Sequence, residues 1–222
     1  MNKKFWLSII IIIVQIALAF YLSSFIADDA KIPSHWNFRG EIDGYTGKWT
    51  AVLLFPGINI LMLIIMLVLP IISVRYRETP ERFSRMVPII TNIVIFFFAI
   101  IHIYTLLLGA EIVSNTGTFL YYTLGLMFIL LGNVLPKMPS SFYIGIRTPW
   151  TLSSEYVWRK THKVGGICFV LSGLLMIFIP AIWGNNATAL TIMFVLFISL
   201  ILYSVLYSFL LYKKEEKNNS IH

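Results

Sequence analysis

The chain has 222 residues, 58% of them hydrophobic and only 12% charged, and its mean hydropathy is +0.82. Soluble domains are about 45–50% apolar and about 25% charged, so this composition excludes a soluble enzyme, a nucleic-acid-binding domain and a disordered chain. Apolar runs well beyond the roughly ten residues of an outer-membrane strand also exclude a β-barrel.

Six runs come near the ~20 residues that a spanning helix needs. They cover 5–26, 50–72, 86–109, 119–135, 164–183 and 189–212. They predict an all-α fold: a polytopic integral membrane bundle of six transmembrane helices, forming one domain over residues 1–222. The first run follows Lys3 and Lys4 and contains Ala17-Leu18-Ala19, which has the small-x-small form of a signal cleavage site. It is longer than the 7–15 residues typical of a signal h-region, so a retained anchor is expected.

The loop 27–49 follows, an expected outer cap. Pro33 disfavours helix at Ile32, and Asp43-Gly44 reads as a tight turn. Trp36, Tyr45 and Trp49 suit the headgroup level, and His35 is expected to hydrogen-bond within the cap. After the second span come Arg75, Arg77, Arg82 and Arg85, and after the fourth comes the loop 136–163 with Lys137, Arg147, Arg159, Lys160 and Lys163. The tail carries Lys213, Lys214 and Lys217. With six spans, only Lys31, Arg39 and Lys48 of the 17 basic residues fall on the other side. The positive-inside rule then puts both termini in the cytoplasm of a multi-pass cell-membrane protein. The basic residues are thus topological, and no direct nucleic-acid partner is expected; the partner certain from composition is the lipid bilayer.

In the inner loop 136–163, three prolines and Gly145 keep the first half irregular. A helix is expected from Ser153, with Ser153 as cap, Glu155 in the first turn, a Glu155–Arg159 pair, and Trp158 and His162 on one face. This short helix should lie amphipathically along the inner interface.

The spans contain no Asp, Glu, Lys or Arg; their polar side chains include Gln15, Asn59, Asn92, His102 and Asn133. Intramembrane ionisable groups mark catalysis and proton-coupled transport. No His-Glu-x-x-His or Gly-x-Ser-x-Gly motif occurs, and His35, His162 and His222 are too scattered to share a metal. The reading is therefore a non-enzyme with no metal and no cofactor. A small-solute or peptide transporter is the alternative, with His102 as its candidate residue, although a hydrogen bond to a neighbouring helix is the simpler role. Cys168, the single cysteine, reads as a packing residue.

Two stretches resemble a known family. Ile144-Gly145-Ile146-Arg147-Thr148-Pro149-Trp150-Thr151-Leu152-Ser153-Ser154-Glu155, with Trp158, Lys160, Thr161 and His162, resembles the signature of the SdpI family of bacterial membrane immunity proteins. Pro33, His35, Trp36, Asn37, Gly40, Asp43, Gly44, Tyr45 and Lys48 resemble the companion N-terminal motif of unknown function. The resemblance implies a six-span protein that protects its producer from a secreted toxic peptide, with the outer residues as toxin-binding or cap residues. For the best-known member it also implies that toxin binding draws a transcriptional autorepressor to the membrane. Gly145, Arg147, Pro149, Trp150, Ser153, Glu155, Trp158, Lys160 and His162 would then dock that cytoplasmic partner; the other reading of Arg147, Trp150 and Trp158 is structural anchoring of the loop. A cysteine placed at Ser34 should react with an impermeant thiol reagent on intact cells, and labelling only after permeabilisation would contradict the six-span topology.

Overall fold

A computed structural model describes residues 5–74, 76, 80–115 and 117–219. Lys3, Lys4, Arg75, Arg77 and His222 lie outside the described residues. The chain runs α1 (Trp6–Ser23), β1 (Lys31–Trp36), β2 (Ile42–Gly47), α2 (Lys48–Ile72), α3 (Pro80–Gly109), α4 (Phe119–Val134), a 3₁₀ turn (Leu135–Lys137), α5 (Pro149–Ser153), α6 (Glu155–Trp183) and α7 (Ala187–Asn219). Among the described residues six helices, all but α5, are long and apolar enough to cross a membrane, α4 together with the 3₁₀ turn that extends it. Their outward faces are covered with exposed Leu, Ile, Val and Phe, as a lipid solvent requires.

The helices pack in two groups of three. Helix α3 packs on α1 and α2, α6 packs on α4 and α7, and α3 meets α4 where the groups join. Inside the first group the polar side chains of three helices find one another. Gln15 Nε2 donates to His102 Nδ1 at 3.0 Å, Asn59 Nδ2 donates to Gln15 Oε1 at 2.8 Å and to the Ile95 carbonyl at 3.2 Å, and His102 Nε2 donates to the Ala51 carbonyl at 3.1 Å. All three residues are buried. The pattern fixes His102 as the neutral Nε2–H tautomer, because Ala51 offers only an acceptor. These bonds tie α3 to α1 and α2.

The second group is held by close backbone approach. A methyl group on Gly125 would lie 2.7 Å from the Gly173 carbonyl oxygen, and one on Gly173 would lie 2.4 Å from that of Gly125. Gly132 and Gly166 stand in the same reciprocal relation at 2.7 Å. The two pairs are seven residues apart on both antiparallel helices, so they mark one seam along α4 and α6. Small residues let helices pack closely in lipid, where van der Waals contact replaces the hydrophobic drive.

The loop between α1 and α2 departs from the expected turn. It forms an antiparallel hairpin, β1 on β2, with irregular register around His35. The chain reverses at Asn37–Glu41 and not at Asp43-Gly44. Asn37 Oδ1 accepts from the amides of Arg39 at 2.8 Å and Glu41 at 3.1 Å, and Gly40 supplies the positive φ of 75°. The Asx turn meets the chemistry a reversal needs. Asp43 and Gly44 lie inside β2, where Gly44 pairs with His35.

Gly132→Val or Gly173→Val should force α4 and α6 apart and destabilise the protein by at least about 1–3 kcal/mol. Gly57→Ala, where an added methyl meets nothing within 4 Å, should be neutral or mildly stabilising. Thermal melting in detergent checks both.

Candidate functional site

The two ends of the bundle carry the singled-out residues, and each end is built differently. At the hairpin end, Ile32 is fully buried among Ala19, Leu22, Ile26, Val52 and Leu106 and closes the first helix group. Lys48 is largely buried: its ammonium donates to the Ile26 carbonyl and to Asp28 Oδ1, both at 2.8 Å, and stitches the end of α1 to the start of α2. That contact holds the Asp28 carboxyl below its usual pKa. Trp36 is half-buried beside Tyr104, which stacks on Phe119 at 3.8 Å between ring centres. The hairpin tip docks on the loop between α3 and α4. Asn115 Nδ2 donates to the Gly40 carbonyl at 3.0 Å, while Asn115 Oδ1 accepts from Tyr104 and from the Gly117 amide. Gly40 comes so close to Gly117 that no Cβ would fit.

The outward face of the hairpin is different in character. His35 Nδ1 meets Asp43 Oδ1 at 2.5 Å, and both side chains remain open to solvent. Asn37 Nδ2 donates to Glu41 Oε2 at 2.7 Å, and Phe38 and Tyr45 are exposed. Ile32, Lys48, Gly40 and Trp36 thus build the cap, while His35, Asp43 and Tyr45 are presented by it.

At the opposite end, the segment between α4 and α6 is a folded unit. Trp158 is buried completely, and its indole Nε1 donates to the Met138 carbonyl at 2.9 Å. His162 stacks on Trp158 at 3.9 Å between ring centres. Its Nδ1–H donates to the Trp158 carbonyl at 2.9 Å, which leaves Nε2 to accept from the Ile146 amide at 3.0 Å. Gly145, at φ 123°, lies against both rings; a Cβ there would sit 2.5 Å from His162 Nε2. Thr148 and Thr151 form a capping box around α5 with Pro149 at its first turn, and Thr148 Oγ1 pairs with Ser208 Oγ of α7 at 3.0 Å. Ile144 packs on the Phe5, Leu69, Phe83 and Val87 cluster of the first helix group.

Several expectations for this segment are corrected. Trp158 and His162 share a face, as their spacing requires, but that face is interior and not interfacial. The helix does not start at Ser153. The Ser153 hydroxyl donates back to the Trp150 carbonyl at 3.1 Å and closes α5, while Ser154, in an extended conformation, caps α6 through the Val157 amide. Two cap residues in succession split what reads as one helix start. From Glu155 the helix continues unbroken into the span. Glu155 and Arg159 form no ion pair within 4 Å among the described residues. Arg147, Pro149, Ser153, Glu155 and Lys160 are exposed, with Arg147 Nη1 donating to the Phe142 carbonyl and Lys160 above the Tyr156 ring. Trp150 is half-buried against Phe209 of α7. The capping role of Thr148 and Thr151 and the contact to Ser208 were not foreseen from the sequence, although the Thr-Pro-x-Thr pattern signals the cap in part.

The comparisons with known proteins fall on these two ends. Residues 9–60 match a domain of unknown function, DUF1648, which spans α1, the hairpin and half of α2. Residues 137–208 match the SdpI/YfhL protein family. That region runs from the segment closed by Trp158 to Ser208 on α7. Along almost its whole length the chain is similar to the immunity protein SdpI of Bacillus subtilis (strain 168), at 24% identity over 212 residues, covering 96% of this chain and 97% of the relative. No solved structure matches.

Trp158→Ala should empty a filled site and leave the Met138 carbonyl unpaired, at a cost of about 3–5 kcal/mol. Arg147→Ala removes only an exposed contact and should leave accumulation and melting temperature near wild type. Membrane protein level and thermal melting of the two variants check this contrast.

Proposed function

We propose that this chain is a membrane immunity protein, which protects the cell that makes it from a secreted toxic peptide. The observation that carries the reading is the pair of family regions, in order, within an end-to-end similarity to a protein named for immunity. Gln15, Asn59 and His102 in the first helix group bond one another and helix backbone, which supports a packing role for these three side chains. In this reading the hairpin end faces outside and both termini lie in the cytoplasm. The toxic peptide meets the presented face of the hairpin, His35, Asp43 and Tyr45, on a base fixed by Lys48 and Gly40. The exposed residues of the other end, Arg147, Pro149, Ser153, Glu155 and Lys160, are the surface on which a cytoplasmic autorepressor would dock. Trp158 and His162 are removed from that surface by burial.

The test is expression in a sensitive bacterium challenged with the cognate peptide. Wild-type protein should raise tolerance, and Asp43→Ala together with Tyr45→Ala should lower it at unchanged protein level. Arg147→Ala should keep tolerance while losing membrane recruitment of a co-expressed repressor. Full insertion without any gain in tolerance would overturn the immunity reading.

A further inference from the structure

Where α4 meets α6 at the motif end, the bundle carries a cleft of about 520 Å³, bounded by Gly132, Asn133 and Pro136 on one side and by Arg159, Lys163, Gly166, Ile167, Val170 and Leu171 on the other. The cleft exists because of the glycine seam. Gly132 and Gly166 bring the two backbones together without side chains of their own, so the residues flanking the seam stand as walls. Its polar mouth and its apolar length follow from the order of residues along α6. Arg159 and Lys163 are one turn apart and share a face, and both are exposed. Neither forms an ion pair among the described residues; Glu155, one turn before Arg159, is the acid nearest in sequence and stays unpaired. Lys137, exposed and next to Pro136, adds a third positive charge near the mouth. Beyond Lys163 the wall becomes wholly apolar. From Arg159 to Leu171 is twelve residues, about 18 Å of helix, which reaches from headgroup level well into the hydrocarbon.

We propose that this cleft binds one anionic phospholipid, its phosphate between Arg159 and Lys163 and an acyl chain along Ile167, Val170 and Leu171. Two cations with no carboxylate partner select an anion. The continuous apolar floor selects an amphiphile over a free anion. Basic clefts between spanning helices at headgroup level have the geometry that holds acidic lipid heads. The site lies outside the hairpin and outside the Trp158–His162 unit, and it does not depend on the immunity reading. It gives the α4–α6 seam a lipid partner in the cleft that runs beside the close glycine contacts.

The experiment is native mass spectrometry of the purified full chain released from detergent micelles carrying equal phosphatidylglycerol and phosphatidylcholine. Wild-type protein should retain one phosphatidylglycerol in preference to phosphatidylcholine. Arg159→Gln with Lys163→Gln should lower that preference by about thirtyfold, from roughly fivefold per basic residue at the membrane surface. Lys213→Gln with Lys214→Gln, which removes the same formal charge beside the membrane on α7, where Lys213 is paired with Glu216, should leave it unchanged, and Arg159→Lys with Lys163→Arg should restore it. Melting temperature in detergent separates loss of the site from loss of the fold, because both residues are exposed. Equal retention of the two lipids by wild type, or an unchanged preference in a folded double Gln variant, would overturn the proposal. Displacement of the retained lipid by excess inorganic phosphate would also overturn it, by showing a site for a free anion.

Discussion

A segment that leaves one membrane-spanning helix and returns in the next must satisfy its backbone groups inside the protein wherever water is kept out. Residues 138–151 meet that constraint through Ser141, Thr148 and Thr151 within the segment and through two side chains of α6. Trp158 takes the Met138 carbonyl and His162 takes the Ile146 amide. The rings that make these bonds stack on one another and leave room beside them only for glycine at position 145. Much of the architecture at this end follows. Fixed in this way, the segment places Ile144 against the first helix group, Ile146 against Gly165 of α6, and Thr148 against Ser208 of α7. One loop thus touches both halves of the bundle.

The opposite end solves the same problem with different chemistry. There the hairpin uses its own ladder, the Asn37 side chain and Asn115 to satisfy its backbone, and inserts Ile32 as an apolar plug. Between the ends, the first helix group is joined by amide and imidazole side chains and the second by bare backbone at glycine. Asn59 and Gln15 specify partners through direction, while Gly125, Gly132, Gly166 and Gly173 specify them through distance. The two groups therefore need few charged residues at depth, and the charged residues sit at the ends of the bundle, most of them exposed and Lys48 buried.

Composition alone made the six-helix membrane class legible, because apolar runs of spanning length have few other uses. Motif order made the resemblance to the SdpI family legible. What stayed hidden was which motif residues are interior. Trp158 reads as an interfacial anchor since tryptophan is enriched there; only the return of the loop, which buries its ring and pairs its Nε1 with Met138, makes it core. The Asp43-Gly44 pair reads as a turn, and the Asx chemistry of Asn37 with the positive φ of Gly40 displaced it. The glycine seam was not read from the sequence: its residues stand seven apart on each helix, but a spacing within one helix does not name the helix it faces. Ser153 and Ser154 are both competent caps, and local sequence does not choose between them.

Hydrogen–deuterium exchange across residues 136–163, measured on the protein in lipid nanodiscs, tests most directly whether this loop is a folded part of the core. Amides held by side chains or caps, at Ile146, Thr148 and Thr151, should exchange slowly and at rates close to those of α6. Uniformly fast exchange through the whole segment would contradict the account, since a loop free in solvent cannot be held by Trp158 and His162.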